Sequence, residues 1–254
     1  AHSGQVAIPW MLNQGMTLFG DVYEQHAPAT TLIAAFASRV TSLNAINTAR
    51  ILNVLLVVAI MFLVYGTASR LSHLRTSAGL GAAVTWVVWE PSFGNILFYF
   101  DGVMSLLIIA ALLLWLWGQK RGKRVFTAWG AGLLMGASTL AKQQAWAAVV
   151  VFGIWIVIFA RQYFGWYSVG ALFMPVLVVL VVGLQGNLDS YLYWNWAFNV
   201  SGLMPNALPA SGFAIKLLIS NALVLPFALL SLRQTERLLW MLALILWLGS
   251  TATL

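Results

Sequence analysis

The sequence contains no cysteine and very few charged residues. The missing thiols exclude disulfides, cysteine nucleophiles and thiolate metal sites. Only 7% of the 254 residues are charged, whereas 61% are hydrophobic and 13 are tryptophans. With a mean hydropathy of +0.89, the composition lies far outside the range of soluble domains and indicates an integral membrane protein.

Apolar segments of crossing length, or nearly so, predict an all-α, polytopic membrane helix bundle, because a bilayer core of about 30 Å needs roughly 20 apolar residues per helix. We expect one transmembrane domain, with an outer segment over 1–45 that holds a short interfacial helix at 29–42, and the bundle over 46–254. An aromatic-belt loop is expected at 185–212. The eight predicted spans are 46–67, 78–96, 102–118, 126–143, 145–160, 166–184, 213–231 and 237–254.

The net charge of +7 comes from basic residues that are dispersed among apolar runs, a distribution that fits membrane topology rather than a nucleic-acid partner. With the amino end outside the cytoplasm, nine of the thirteen basic residues fall in or beside inner loops, as the positive-inside rule predicts. The basic cluster "GQKRGKR" is then a cytoplasmic topology anchor beside membrane lipids. We also expect a fragment cut at both ends, because the chain begins with Ala1 and stops within an apolar run.

The same topology gathers the scarce acidic residues on the outer side. The stretch "FGDVYEQHAPATTL" at 19–32 places Asp21, Tyr23, Glu24 and His26 directly before the interfacial helix. A solvated loop explains one or two such residues, but the whole group indicates a site at the membrane surface. The other acids on or near the outer side are Glu90, Asp101 and Asp189.

Two further residues on the outer side have both a structural and a functional interpretation. Lys142 lies about 24 Å along a helix from Phe126, so it either extends to lipid head groups or holds the phosphate of a lipid-linked ligand. The small residues before it let a helix or a ligand come close. Asp101 directly precedes the predicted span at 102–118. There it either caps the helix, orients an acceptor or binds a divalent metal.

Two charged residues in or beside predicted spans allow alternatives as well. Arg50 either pairs with an outer carboxylate or contacts a phosphate. Glu90 precedes Pro91, which predicts a kink with the carboxylate in a watery cleft, and catalysis by Glu90 is the weaker alternative.

Several stretches, taken in order, resemble polyprenyl-phosphate-sugar-dependent glycosyltransferases of the GT-C superfamily. The similar branch contains protein O-mannosyltransferases and the bacterial lipid A aminoarabinose transferase. The resemblance covers about residues 10–160. The stretches that carry it are "NQGMTLFGDVYEQHAPATTLIAAF", "NTARILNVLLVVAIMFLVYGTASRL", "FYFDGVMSLLIIAALLL" and "GLLMGASTLAKQQA".

The resemblance implies a role for each matching residue. Lys142 would lie near the lipid phosphate with Gln143 beside it, and Asp101 would sit close to the donor cleft. The cleft would be lined by Tyr23, Glu24 and His26, supported by Arg50, with weaker assignments to Asp21 and Glu90. This sequence departs from the aminoarabinose-transferase branch at His26-Ala27-Pro28, where that branch has an acidic-Lys-Pro triplet; a largely neutral histidine replaces the lysine only in part.

The implied activity is sugar transfer from a polyprenyl-phosphate donor to a lipid, glycan or protein acceptor, by single displacement with inversion. The family's catalytic acid would lie upstream of Ala1, and the expected location is the bacterial inner membrane with the site facing outside. The alternative is a transporter or lipid-linked sugar flippase, which would place ionisable groups near the bilayer midplane and often show inverted repeats. No such repeat is evident in the sequence.

Overall fold

The computed structural model describes residues 4–71, 76–77, 79–83 and 100–198. Within these ranges the chain is helical apart from turns, loops and one isolated β-bridge between Leu18 and Val22. The predicted spans at 213–231 and 237–254, most of the span at 78–96, and Glu90 lie outside the described residues.

The helices follow the apolar segments of the sequence closely. A 3₁₀ turn, Arg161–Tyr163, separates the sixth helix from the seventh, and a π-helical turn, Tyr193–Ala197, follows the eighth. In chain order the helices are α1 (Gly4–Asn13), α2 (Ala29–Thr41), α3 (Ala45–Leu71), α4 (Phe100–Arg121), α5 (Arg124–Thr139), α6 (Ala145–Ala160), α7 (Phe164–Leu184) and α8 (Leu188–Leu192).

Among the described residues, three stretches are long and apolar enough to cross a membrane, namely Ala45–Arg70, Phe100–Gly118 and Ala145–Leu184. The third stretch is folded back on itself, because the Tyr167 hydroxyl donates a hydrogen bond of 2.7 Å to the Val149 carbonyl. The predicted break between the helices at 145–160 and 166–184 is therefore confirmed. Membrane-spanning character is supported, while the total of eight spans stays a prediction.

Helix directions bring the start of α4 and the end of α5 to the same end of the bundle. Along α3 and α4, Leu56 lies beside Gly102 and Leu113 lies beside Gly66, so these helices run parallel. Helix α5 runs antiparallel to α4, since Leu114 lies against Gly130. Residues that precede α4 or follow α5 thus meet at one end of the bundle, which we call the Lys142 end.

The small residues of α5 serve helix packing. A Cβ atom added at Gly132 or Gly136 would collide with the backbone of α7 around Tyr167 and Ala171. Close backbone approach of this kind is what small residues permit in membrane helix pairs. Of the two interpretations of this stripe, the described contacts support the approach of a helix.

The structure corrects the predicted boundaries in three places. The segment 1–45 contains a helix that the sequence analysis missed, α1, which is held to α2 by a 3.1 Å hydrogen bond from the Asn13 amide to the Ala35 carbonyl. Tertiary packing stabilises such short helices more than propensity does. The predicted loop at 185–212 begins with α8 and the π-helical turn.

The third correction concerns the end of α5. The helix ends at Thr139 and not at 143, so Lys142 lies in a turn after the helix. The hydroxyls of Ser138 and Thr139 bond the carbonyls of Met135 and Gly136, at 2.6 and 2.7 Å. Side-chain hydrogen bonds of this kind compete with the helical pattern.

Candidate functional site

The loop before α2 docks onto the turn after α5. The Ala29 amide donates to the Leu140 carbonyl at 2.8 Å, and the Gln143 side-chain amide donates to the Gln25 carbonyl at 3.1 Å. These bonds join segments more than a hundred residues apart, since Gln25 and Gln143 are separated by 118 positions. The acidic stretch at 19–32 and the turn that carries Lys142 therefore form one surface.

An ion pair between Lys142 and Asp101 lies at this junction. The Lys142 Nζ atom is 2.5 Å from the Asp101 Oδ1 atom, and the two side chains are 13% and 28% exposed. Partial burial strengthens the attraction relative to a fully solvated pair. An ammonium group has three donors, so pairing with one carboxylate still allows Lys142 to bind an anion.

A second pair of ionisable residues, Glu24 and His26, lies beside the start of α4. Glu24 is only 5% exposed, and its carboxylate accepts hydrogen bonds from the His26 backbone amide at 3.0 Å and from Nδ1 at 2.8 Å. An ionised carboxylate can only accept, so a bond to ionised Glu24 requires the proton on Nδ1 and, in the neutral tautomer of the ring, makes Nε2 an acceptor.

The ring of His26 is placed by an aromatic neighbour. It stacks on Phe100 with centroids 4.3 Å apart and planes inclined by 12°. Because Phe100 immediately precedes Asp101, this stacking brings the histidine next to the residue that pairs with Lys142. The Glu24–His26 pair and the Lys142–Asp101 pair are thus neighbours on one end of the bundle.

Asn195 completes the cluster by hydrogen bonds to Gln143 and Glu24. Its part in the site was not predicted from the sequence. The Gln143 Nε2 atom donates to the Asn195 side-chain oxygen at 3.0 Å and to its carbonyl at 3.2 Å. The Asn195 amide donates to the Glu24 carbonyl at 3.5 Å. The available signal in the sequence was an asparagine between two tryptophans in "YWNWAF". Such an amide needs hydrogen-bond partners if the tryptophans bury it.

Tyr23 lies at the rim of this arrangement. Its ring is exposed and stacks on Trp194 with centroids 5.4 Å apart. The next residue along the chain is Glu24, so the pair forms an aromatic edge beside the buried carboxylate. Exposed aromatic rings at such a rim can pack against the apolar face of a sugar or against lipid.

Asp21 is engaged in the structure of its own loop. Its carboxylate accepts hydrogen bonds from the Thr17 backbone amide at 2.8 Å and from the Thr17 hydroxyl at 2.7 Å. These bonds lower the pKa of Asp21, the backbone bond having the larger effect. Asp21 therefore shapes the turn that leads to Tyr23 and Glu24.

Two other charged residues that the sequence predicted on the outer side lie apart from the cluster. Arg50 is exposed on α3, and in the described part of the chain no carboxylate lies within ion-pairing distance of it. The pairing that was considered from sequence is thus not formed among these residues. Asp189 occupies the first turn of α8, where a negative charge suits the helix dipole.

A metal site is not formed by the residues that the structure describes, because no three of their His, Asp and Glu side chains gather closely enough. Glu24 and His26 provide one close pair of ligand atoms. The second carboxylate nearby, Asp101, is engaged with Lys142.

Comparison of the chain with protein-family models, curated proteins and solved structures returned no match. Over the described residues, fold and site together define an all-helical protein with helices long and apolar enough to cross a membrane and a polar cluster at one end of the bundle. The functional conclusion depends on the residues of that cluster: Tyr23, Glu24, His26, Asp101, Lys142, Gln143 and Asn195.

Proposed function

We propose that this protein is a membrane glycosyltransferase that moves a sugar from a polyprenyl-phosphate donor to an acceptor at the outer face of the membrane. The observation that carries the proposal is the convergence of Lys142, Asp101, Glu24 and His26 at one end of an apolar bundle. A lipid-linked donor keeps its tail in the bilayer and its sugar in water. A polar cluster at the end of membrane helices suits a reaction at that boundary.

Lys142 supplies what the leaving group needs. A polyprenyl phosphate leaves readily once its developing negative charge is held by a positioned cation. Lys142 is partly buried and has Asp101 on one side, so its ammonium is held in place before the donor binds. Asp101 acts as a positioning residue in this scheme, and the phosphate shares the ammonium with it.

The Glu24–His26 pair forms the wall of the donor cleft. Glu24 fixes the orientation of the histidine ring through Nδ1, which leaves Nε2 to accept a hydrogen bond from a substrate hydroxyl or, when the ring is protonated, to donate one to the phosphate. The similar glycosyltransferases have lysine where this chain has Ala27, and the neighbouring His26 replaces that charge only in part, when it is protonated.

The position of the cluster favours an enzyme over the alternative transporter. A transporter needs ionisable groups near the bilayer midplane. In this chain the Lys142–Asp101 pair follows the end of α5 and heads α4, and the middle of α6 is entirely apolar. Location in a bacterial inner membrane, with this end outward, is part of the proposal.

The test uses the full-length protein in liposomes that contain a polyprenyl-phosphate hexose with a radiolabelled sugar. We expect transfer of the label to an acceptor and release of polyprenyl phosphate. Lys142→Ala should reduce the rate about a hundredfold or more, as the loss of one stabilising donor does in other enzymes. The matched control is Arg70→Ala, which removes a cation from the last turn of α3.

The outcomes separate the two functions. Full activity of Lys142→Ala, with the control also active, contradicts the phosphate role of Lys142. Movement of intact donor across the bilayer without cleavage of the sugar–phosphate bond contradicts the transferase and supports the transporter. Circular dichroism of each purified variant verifies that the helices are retained.

A further inference from the structure

An open groove of about 580 Å³ lies at the other end of α5 from Lys142. The 16 residues of α5 separate the groove from the site by about 24 Å at 1.5 Å per residue. The groove is lined by Lys123, Arg124, Phe126, Trp129, Tyr163 and Trp166. Its wall thus combines cations with aromatic rings, and the site described above uses none of these residues.

The positive charge around the groove is uncompensated within the described part of the chain. No described carboxylate lies within ion-pairing distance of Arg121, Lys123 or Arg124. The Arg121 guanidinium and the Lys123 ammonium both face the ring of Trp117, at 5.0 and 5.9 Å from its centroid. Cation–π contacts orient such groups without neutralising them, so the groove attracts an anion.

The neighbouring wall is apolar and open. Phe126 is 61% and Trp166 is 51% exposed, and both belong to the groove. The Tyr163 hydroxyl lies beside Arg124, at the boundary between the charged part and the aromatic part. A small water-soluble anion would neutralise the cations but leave these rings uncovered, whereas an amphipathic anion would satisfy both parts.

We propose that the groove is a binding site for the head group and first acyl segment of an anionic phospholipid. The phosphodiester accepts hydrogen bonds from Lys123 and Arg124 and from the Tyr163 hydroxyl, and an acyl chain covers Phe126 and Trp166. Guanidinium groups match phosphate geometry, and aromatic side chains favour the membrane–water boundary. This inference does not depend on the proposed transferase activity.

The experiment is native mass spectrometry of the full-length protein released from nanodiscs that contain equal amounts of phosphatidylglycerol and phosphatidylcholine. We expect the wild-type protein to retain phosphatidylglycerol selectively. The double variant Lys123→Ala/Arg124→Ala should lower that retention about tenfold or more, because the loss of each basic residue weakens the attraction to an anionic lipid several-fold. Phe126→Ser/Trp166→Ser should lower retention of the intact lipid while leaving the binding of glycerol phosphate unchanged.

Arg70→Ala is the matched control, because Arg70 lies in the last turn of α3, at the same end of the bundle as the groove. Arg70 does not line the groove. An equal loss of selectivity in the control would show diffuse attraction to the charged end and overturn the site. Displacement of the lipid by inorganic phosphate at similar concentration would show a free-anion site and also overturn it. Selectivity unchanged in the Lys123→Ala/Arg124→Ala variant would contradict the proposal directly.

Discussion

The Lys142 ammonium contacts the Asp101 carboxylate across 41 positions of sequence. The pair joins the turn after α5 to the first turn of α4, and His26 lies against the residue just before Asp101. The start of α4 contributes Asp101 to the pair, and the turn after α5 contributes Lys142. The pair is therefore the most direct place to test how the site is held together.

We expect Asp101→Asn to destabilise the protein by about 1–3 kcal/mol, because the substitution leaves the partly buried Lys142 ammonium without its anionic partner. Chemical unfolding in detergent measures the change. A double-mutant cycle with Lys142→Met isolates the interaction. Additive effects of the two substitutions would contradict a coupled pair.

Replacing Glu24 should release the ring of His26. In Glu24→Ala the Nδ1 proton loses its acceptor, so nitrogen NMR of the imidazole should detect a change from the Nδ1–H tautomer to a mixture. The variant should also lose about 1–3 kcal/mol, since the partly buried backbone amide of His26 loses a partner as well. Asp21→Ala is the control: its carboxylate is exposed and bonds Thr17, so the His26 spectrum should stay as in the wild type.

Asn195→Ala should loosen the outer segment that follows α7. The substitution removes the acceptor of Gln143 and the donor to the Glu24 carbonyl. Hydrogen exchange of the amides in 188–198 and in 24–29 should accelerate together. Asn47→Ala, which changes an exposed amide, should leave both segments unchanged; acceleration confined to 188–198 would show that Asn195 does not link them.

Gly136→Ala should weaken the contact between α5 and α7, because the added methyl group meets the backbone around Ala171. Overpacking of this type costs about 1–3 kcal/mol. Gly183→Ala is the matched control within a helix, since a Cβ atom there meets nothing within 4 Å. Thermal unfolding of both variants should therefore show a loss for the first and no loss for the second.

Acid should loosen the turn at 17–22. The hydrogen bonds from Thr17 lower the pKa of Asp21 in the folded protein, so this contribution to stability is present above the unfolded pKa of about 3.9 and is lost as the pH falls through the lower folded value. Thr17→Ala removes the hydroxyl donor and should move the Asp21 pKa upward. Carboxyl carbon NMR across pH 2 to 6 measures both values.

The fold was predictable wherever apolar runs were bounded by polar or basic residues. The helices predicted at 29–42, 145–160 and 166–184 were confirmed within a few residues as α2, α6 and α7, while the interfacial position of α2 stays a prediction. The missed helix, α1, is short and contains Pro9, so its local pattern was weak. The end of α5 was misplaced because hydropathy does not register the hydroxyl bonds that end it.

The site was predictable in part because its residues are rare in an apolar chain. Glu24, His26, Asp101, Lys142 and Gln143 were singled out from sequence, and the structure brings them to one end of the bundle. Asn195 escaped notice because an amide gains significance only from the long-range partners that folding supplies. The positive charges of Lys123 and Arg124 were evident from the sequence. The groove beside them was not, because it forms only when the fold brings Tyr163 and Trp166 against the start of α5.

The hydrogen bond between Asn195 and Glu24 spans 171 positions of sequence, and this has a consequence for biosynthesis. At translation rates of about 5–20 residues per second, the loop around Glu24 waits roughly ten to thirty seconds before Asn195 is made. During that interval Gln143 can already hold Gln25, while the side of the cluster that Asn195 covers is still open. The polar cluster is thus completed late, after α7 has been synthesised, and chaperone or protease access to the nascent chain should be greatest just before that point.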